Sequence, residues 1–371
     1  VSFKGEKMKK KNDHRRIEGL DFARALAMLG MFIVNFGVIT GSTANGSTGL
    51  IALQNLFEGR ASAVFVMLAG IGTAFMTRQA RDTKDPMLIR QNRYTLWKRS
   101  LFLFAIGMVL YAIGWTGDIL HYYGVYMFVA ACLIVISKKT MILLITIILI
   151  VSQWLQIQFN YLAGWHPTYV LLEYLDFWTP TGFTRNLMFN GYHPVFPWIC
   201  FFLIGMLIGN LDLTNRTLRK GLLATGVLLV TMTETFSTVI IKVTTVHLLD
   251  IESALYLFDT GPIPPNMMYV LSNSGSAIVL IVCSIYLVEK CKNKVIEALV
   301  ITGQMSLTHY VGHVFIGIGI LIICNKLENQ TLAFSMLYAC CYFIGCVVVS
   351  VWWRANHNRG PLESILRKWS P

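Results

Sequence analysis

Histidine is the side chain best suited to move a proton near neutral pH or to carry an acyl group transiently. One histidine, His193, stands in the stretch Tyr192-His193-Pro194-Val195-Phe196-Pro197-Trp198. It suits a base, an acyl carrier or an interfacial histidine resting among aromatics. His309 and His313 are four residues apart, a spacing that stacks both rings on one helix face, where they could hold a metal or bind a shared anion. No third ligand stands at a matching spacing, so no metal is predicted. Asp21 and Arg24 share a helix face and suit either a structural ion pair or a site for an anionic ligand. Glu58 and Arg60 lie in Phe57-Glu58-Gly59-Arg60-Ala61, either as an anchor or as charges serving a site, and Asn35 offers an amide for interhelical bonding or for stabilising charge. Asp118 and His121 share one face, as do Glu234 and Lys242, which read as a buried network.

These residues draw attention because of the segments that carry them. Of 371 residues 55% are hydrophobic and 13% charged, and mean hydropathy is +0.58. That is too little polar surface for a water-soluble globule of this size, so the expected solvent is a lipid bilayer. About 20 apolar residues make one helical span. Ten such runs fall near 21–40, 58–77, 100–115, 118–136, 140–158, 194–211, 221–246, 267–289, 299–323 and 332–352. The sequence thus predicts an all-α integral membrane protein, a bundle of about ten transmembrane helices. Gly70 and Gly72 would let the second helix approach its neighbours closely.

Ionisable groups inside such helices are costly and by default functional candidates. The net charge of +12 is spread as short basic clusters between apolar runs, which sets topology and excludes nucleic acid as a partner. With both termini cytoplasmic, 26 of 31 Lys and Arg fall on the inner side. The chain reads as a basic cytoplasmic segment 1–20, a membrane domain 21–352 and a cytoplasmic tail 353–371, and the first apolar run reads as a retained span. An outer segment of about 159–197 mixes Trp165, Tyr169, Tyr174, Phe177 and Trp178 with Pro and Gly, and suits a lid at the interface. The cysteines show no disulfide or zinc spacing. There is no phosphate-binding glycine loop and no nucleophile elbow, which disfavours an ATP-driven pump.

Arg15-Arg16-Ile17-Glu18-Gly19-Leu20-Asp21-Phe22-Ala23-Arg24-Ala25-Leu26-Ala27 resembles the opening of the YeiB-like family, related to the heparan-alpha-glucosaminide N-acetyltransferases. Met31 to Gly37, Gly59-Arg60 to Gly72, His193 to Trp198 with Gly205-Met206, Gly303 to Tyr310, and Arg359 to Glu363 agree in order and spacing. The resemblance implies a transmembrane acyltransferase at the cell membrane. Its co-substrate would be acyl-CoA, expected to be acetyl-CoA, and its acceptor an extracytoplasmic sugar or glycoconjugate; a homodimer is compatible with it. Members similar to the glucosaminide acetyltransferase carry a His before Trp-Asn-Gly in the first outer loop, whereas Thr40 to Leu56 contains no histidine here. His193 is the substitute expected as base or carrier, with Glu58 tuning it and Arg60 or Asn35 stabilising charge. Asp21, Arg24, His309 and His313 are the residues expected to meet the acyl-CoA. Two other classes stay open. A transporter or flippase would use the same buried charges to line a path, and a sensor or scaffold would use them for neither.

Overall fold

The computed structural model describes residues 16–168 and 171–370. Among them the chain is helical, and the only strand-like pairing is an isolated antiparallel bridge between Trp165 and Tyr174. Helix α1 (Glu18–Ile39) leads through the short α2 (Thr48–Asn55) to α3 (Arg60–Met76), and α4 (Arg78–Thr83) precedes α5 (Pro86–Ala112). Then come α6 (Leu120–Cys132), α7 (Lys138–Gln158), α8 (Pro180–Arg185), a π-helical turn (Asn186–Asn190) and α9 (Val195–Gly209). The second half holds α10 (Arg216–His247), α11 (Ile251–Phe258), α12 (Met267–Lys290), α13 (Lys294–Gly303) and α14 (Ser306–Gly312). A second π-helical turn (His313–Ile318), α15 (Gly319–Ile323), α16 (Leu332–Arg354) and α17 (Pro361–Trp369) complete it.

Side-chain caps mark the starts of several long helices. Asp85 accepts from Met87 N with Pro86 in the first turn, Ser137 accepts from Thr140 N, and Asn215 accepts from Thr217 N and Leu218 N. These bonds satisfy backbone donors that have no partner inside the helix. Helices α1, α3, α9 and α12 form the inner layer, and α1 also packs on α13 and α16. The crossing of α3 and α9 depends on two glycines. A Cβ on Gly70 would lie 2.0 Å from Phe202 O, and one on Gly205 2.1 Å from Met67 O. Gly72 has no such role, since its nearest neighbour would be 3.8 Å away.

Several long helices turn apolar faces outward. Ile142, Leu143, Ile147, Ile150 and Trp154 on α7 face outward, as do Leu228, Met232, Phe236, Val239 and Val243 on α10 and Leu337, Ile344, Val348 and Trp352 on α16. Exposed apolar faces of this extent mark an interaction surface, here one that suits lipid. Eight helical stretches of the described residues are long and apolar enough to cross a membrane. They become nine if Pro180–Asn190 and Val195–Gly209, bent by 48° at their junction, count as one. Of the ten expected runs, 118–136 folds as the 13-residue α6. At a rise of about 1.5 Å per residue it is roughly 20 Å long, shorter than a hydrocarbon core of about 30 Å. It packs along α5 instead.

Candidate active site

The loop between α5 and α6 puts two charged groups into the core. Asp118 and His121 are both fully buried, with Asp118 Oδ2 2.8 Å from His121 Nδ1 and also accepting from His121 N at 3.0 Å. The second carboxylate oxygen accepts from the Tyr310 hydroxyl at 3.1 Å, and that hydroxyl accepts from Ile119 N at 3.0 Å. A carboxylate opposite Nδ1 places the ring proton there, so the neutral His121 ring carries its lone pair on Nε2. This is a base oriented by a buried acid.

From this pair a continuous series of contacts runs in both directions. On one side the His121 ring lies 3.8 Å from that of Tyr122, which is 6.0 Å from His193. The Tyr122 hydroxyl donates to Asn186 Oδ1 at 2.6 Å, and the Tyr126 hydroxyl donates to the His193 carbonyl. On the other side Tyr310 is followed by His313, whose Nδ1 meets the Tyr310 carbonyl and whose Nε2 lies 3.1 Å from Asn35 Nδ2 on α1. Most buried polar atoms are hydrogen-bonded. Around Asp118 and His121 the pattern is different. Tyr111 Oη, His121 Nε2, Asn186 Nδ2, His193 Nδ1 and Trp198 Nε1 are all buried and have no hydrogen-bond partner among the described residues. Three of these are donors that can only donate or do so readily, and two are ring nitrogens able to take a proton.

The aromatic segment expected as a lid folds against this centre. Tyr161, Trp165, Tyr174 and Phe177 are buried, whereas Phe159 and Trp178 are exposed; Tyr169 lies outside the described residues. Asn190 is the hub. Its Nδ2 donates to Tyr161 O at 2.9 Å and Ala163 O at 2.6 Å, and its Oδ1 accepts from the Tyr174 hydroxyl at 2.8 Å. Its carbonyl takes Trp165 Nε1–H at 2.8 Å. Arg185 ties Asp176 at 2.7 Å and donates to Tyr174 at 2.8 Å. Burial pushes the Tyr161 and Tyr174 phenols up, so both stay protonated donors at neutral pH. Phe177 stacks on Tyr111 with centroids 3.5 Å apart and meets His121 edge-on, which seats the aromatic segment on the acid–histidine pair.

The residues singled out from the sequence are distributed around this centre. His193, Asn35 and His313 belong to the connected series. His309 does not, since its Nε2 lies 2.6 Å from Ser350 Oγ on α16, so the two histidines face different helices. Among the described residues no three His, Cys, Asp or Glu gather as a metal set. Arg60 reaches Glu234 on α10 at 3.5 Å and Asn55 O at 3.1 Å. Glu234 is further held by Ser272 at 2.6 Å and Thr260 at 2.9 Å, so it is fixed by α3 and α12 rather than by Lys242. Trp198 and Tyr269 stand between His193 and the Gly59 backbone, with Trp198 4.5 Å from His193 and Tyr269 bonded to Gly59 O. The Glu58 carboxylate takes no ion-pair partner among the described residues. Asp21 is clamped by Arg24 and Arg16, each at 2.6 Å, and by Gln304 at 3.4 Å, which ties α1 to the α13–α14 junction.

Fold and centre together define a class: an all-helical chain with eight or nine stretches among its described residues apolar enough to cross a membrane, and a buried acid–histidine pair beneath a folded aromatic segment. Residues 16–233 match the family model described as heparan-alpha-glucosaminide N-acetyltransferase, catalytic, and residues 236–371 match one described as a protein of unknown function (DUF418). The chain therefore belongs to the YeiB-like family related to heparan-alpha-glucosaminide N-acetyltransferase. The two matched segments meet inside the unbroken α10, and α1 packs against α12, α13 and α16, so the segments share one core. A search of curated proteins finds no match.

Proposed function

We propose that the chain is a membrane-embedded acyltransferase that moves an acyl group, acetyl in the first instance, from cytoplasmic acyl-CoA to an extracytoplasmic acceptor such as a cell-surface sugar. The observation that carries this reading is the set of unpartnered buried polar atoms gathered around Asp118 and His121, in a chain whose residues 16–233 match an acetyltransferase catalytic family. Transfer needs a base for the acceptor and donors for the developing oxyanion. In this scheme His121 Nε2 or His193 Nδ1 takes the proton from the acceptor hydroxyl or amine as it attacks the thioester carbonyl. The new C–O or C–N bond forms, the C–S bond breaks, and the proton passes to the departing CoA thiolate. Tyr111 Oη–H, Asn186 Nδ2–H and Trp198 Nε1–H are the donors within the centre suited to the oxyanion. His193 is also the side chain assigned to carry the acyl group in a two-step route. Asn35 orients His313, and Glu58 and Arg60 are assigned to the acceptor side.

Asp21, Arg24, His309 and His313 are assigned to the donor side, in a plasma-membrane protein with both termini cytoplasmic. A reporter fused after Pro371 is expected to read as cytoplasmic, and an external reading would overturn that topology. His121→Ala and His193→Ala, each purified folded, test the mechanism by CoA release with amino-sugar acceptors. Loss in at least one variant is expected, and full activity in both would sink the assignment. The 48° bend beside α9 favours a second reading, since broken helices also line transport paths. Uptake of a substrate without change in its mass would select it.

A further inference from the structure

At the end of the bundle where α1 begins, a cavity of about 220 Å³ is lined by Arg16, Arg99, Arg354, Arg359 and Arg367, with Glu363 as its only carboxylate. Topology requires these arginines on one side of the membrane, but it does not require them to converge. They come from the approach to α1, from α5, from the end of α16, from the α16–α17 connection and from α17. Glu363 supplies a single negative charge against the five and pairs with none of them among the described residues, its oxygens being turned to α14. Oε1 accepts from Leu307 N at 2.8 Å and Thr308 N at 3.1 Å, and Oε2 accepts from Thr308 Oγ at 2.6 Å, at the first turn of α14. Arg16 is held by Asp21 and Arg99 by Ser370 at 3.0 Å, whereas Arg359 and Arg367 enter no ion pair among the described residues. Five guanidinium groups around so small a space repel one another, and their planar forks match phosphate oxygens in pairs.

We propose that this cavity is a phosphate site that holds the phosphate groups of the CoA-class donor. The proposal rests on the acyl-transfer reading. Its volume lies below the range of about 300–1,000 Å³ typical of whole-ligand pockets, which fits one or two phosphates with the rest of the molecule outside. Helix α14 links it to the centre already described. Met305 lines the cavity, and Tyr310 and His313, further along the same helical stretch, contact Asp118 and Asn35. From Met305 to His313 the rise is about 12 Å, a distance that the extended arm between the phosphates and the thioester of a CoA can cover. The site combines residues of both matched segments, and through it the C-terminal segment of unknown function would close α17 over the donor's phosphates.

The same chemistry could be supplied by an anionic lipid headgroup, and the test separates the two. Full-length protein in phosphatidylcholine nanodiscs is titrated with CoA, adenosine 3′,5′-bisphosphate and adenosine, and the titration is repeated with phosphatidylglycerol in the disc. CoA and the bisphosphate are expected to bind and adenosine not to. Arg359→Gln and Arg367→Gln, which disturb no ion pair within the described residues, are each expected to weaken CoA binding about tenfold. They should also raise KM for acyl-CoA with kcat kept at saturation. Unchanged CoA affinity and KM in the double variant overturns the site while leaving acyl transfer standing. Arginine-dependent CoA binding without any transfer supports the site and removes the transferase reading. Arginine-dependent stabilisation by phosphatidylglycerol with no CoA binding overturns the proposal in favour of a lipid headgroup.

Discussion

Replacing Asp118 by Asn tests the acid–histidine pair with little change in volume. With its oxygen on the Tyr310 hydroxyl, Asn turns its amide group toward His121, where it donates in the place of the carboxylate oxygen that accepted from His121 N and met Nδ1. Facing His121 Nδ1 at 2.8 Å, that donor drives the ring proton to Nε2 and abolishes the lone pair that acts as base. General-base catalysis contributes roughly 10²–10⁴-fold, equivalent to about 3–5 kcal/mol of barrier at about 1.36 kcal/mol per tenfold. With His121 as the base, Asp118→Asn is therefore expected to lower acceptor-dependent CoA release at least about 100-fold. Because both side chains act as one unit, the double variant Asp118→Asn/His121→Ala should lose little more than either single one. The assay is thiol release from acetyl-CoA by purified protein in nanodiscs, with thermal unfolding followed in parallel. An Asp118→Asn protein that stays folded and works within about threefold of the unaltered chain would refute the reasoning, since no general-base contribution of about 10² could then pass through that pair.

Two further predictions concern the scaffold. Asn190→Ala removes three side-chain hydrogen bonds from the aromatic segment and should cost about 2–4 kcal/mol locally. Limited proteolysis within 159–191 should accelerate, and an unchanged cleavage rate would count against Asn190 as the hub. Gly70→Ala forces a Cβ to within 2.0 Å of Phe202 O and should cost roughly 1–3 kcal/mol or more through overpacking. Gly72→Ala, with 3.8 Å of room, should leave the unfolding temperature in detergent unchanged. Equal effects of the two would contradict the α3–α9 crossing.

The long apolar runs are legible in the sequence because hydropathy over about 20 residues reports directly on burial in lipid or core. Nothing in composition shows whether such a run continues as one helix, and so 118–136 reads as a span although α6 stops at Cys132. The candidate site is legible in pieces. His193, Asn35 and His313 stand out because polar groups in apolar segments are costly. The spacing of three between Asp118 and His121 puts them on one face, but Asp21 and Arg24 have the same spacing, and spacing alone does not rank one pair above the other. What separates the two pairs is burial and orphaned atoms. Asp21 is shared by two arginines, whereas His121 keeps an unpartnered ring nitrogen in the core. Tyr111, Asn186 and Tyr310 carry no signal of their own, since their contacts join residues 64 to 192 positions apart or depend on how the aromatic segment folds. The basic cavity is equally hidden, because each arginine alone satisfies the inner-side charge rule.

The central claim is tested most directly by incubating the purified chain with acetyl-CoA and following both intact-protein mass with peptide mapping and acceptor-dependent CoA release. Acyl transfer predicts either an added acetyl mass on the peptide holding His193 or CoA release that depends on an amino-sugar acceptor and fails in Asp118→Asn. No added mass and no CoA release with any acyl-CoA or acceptor would contradict the account.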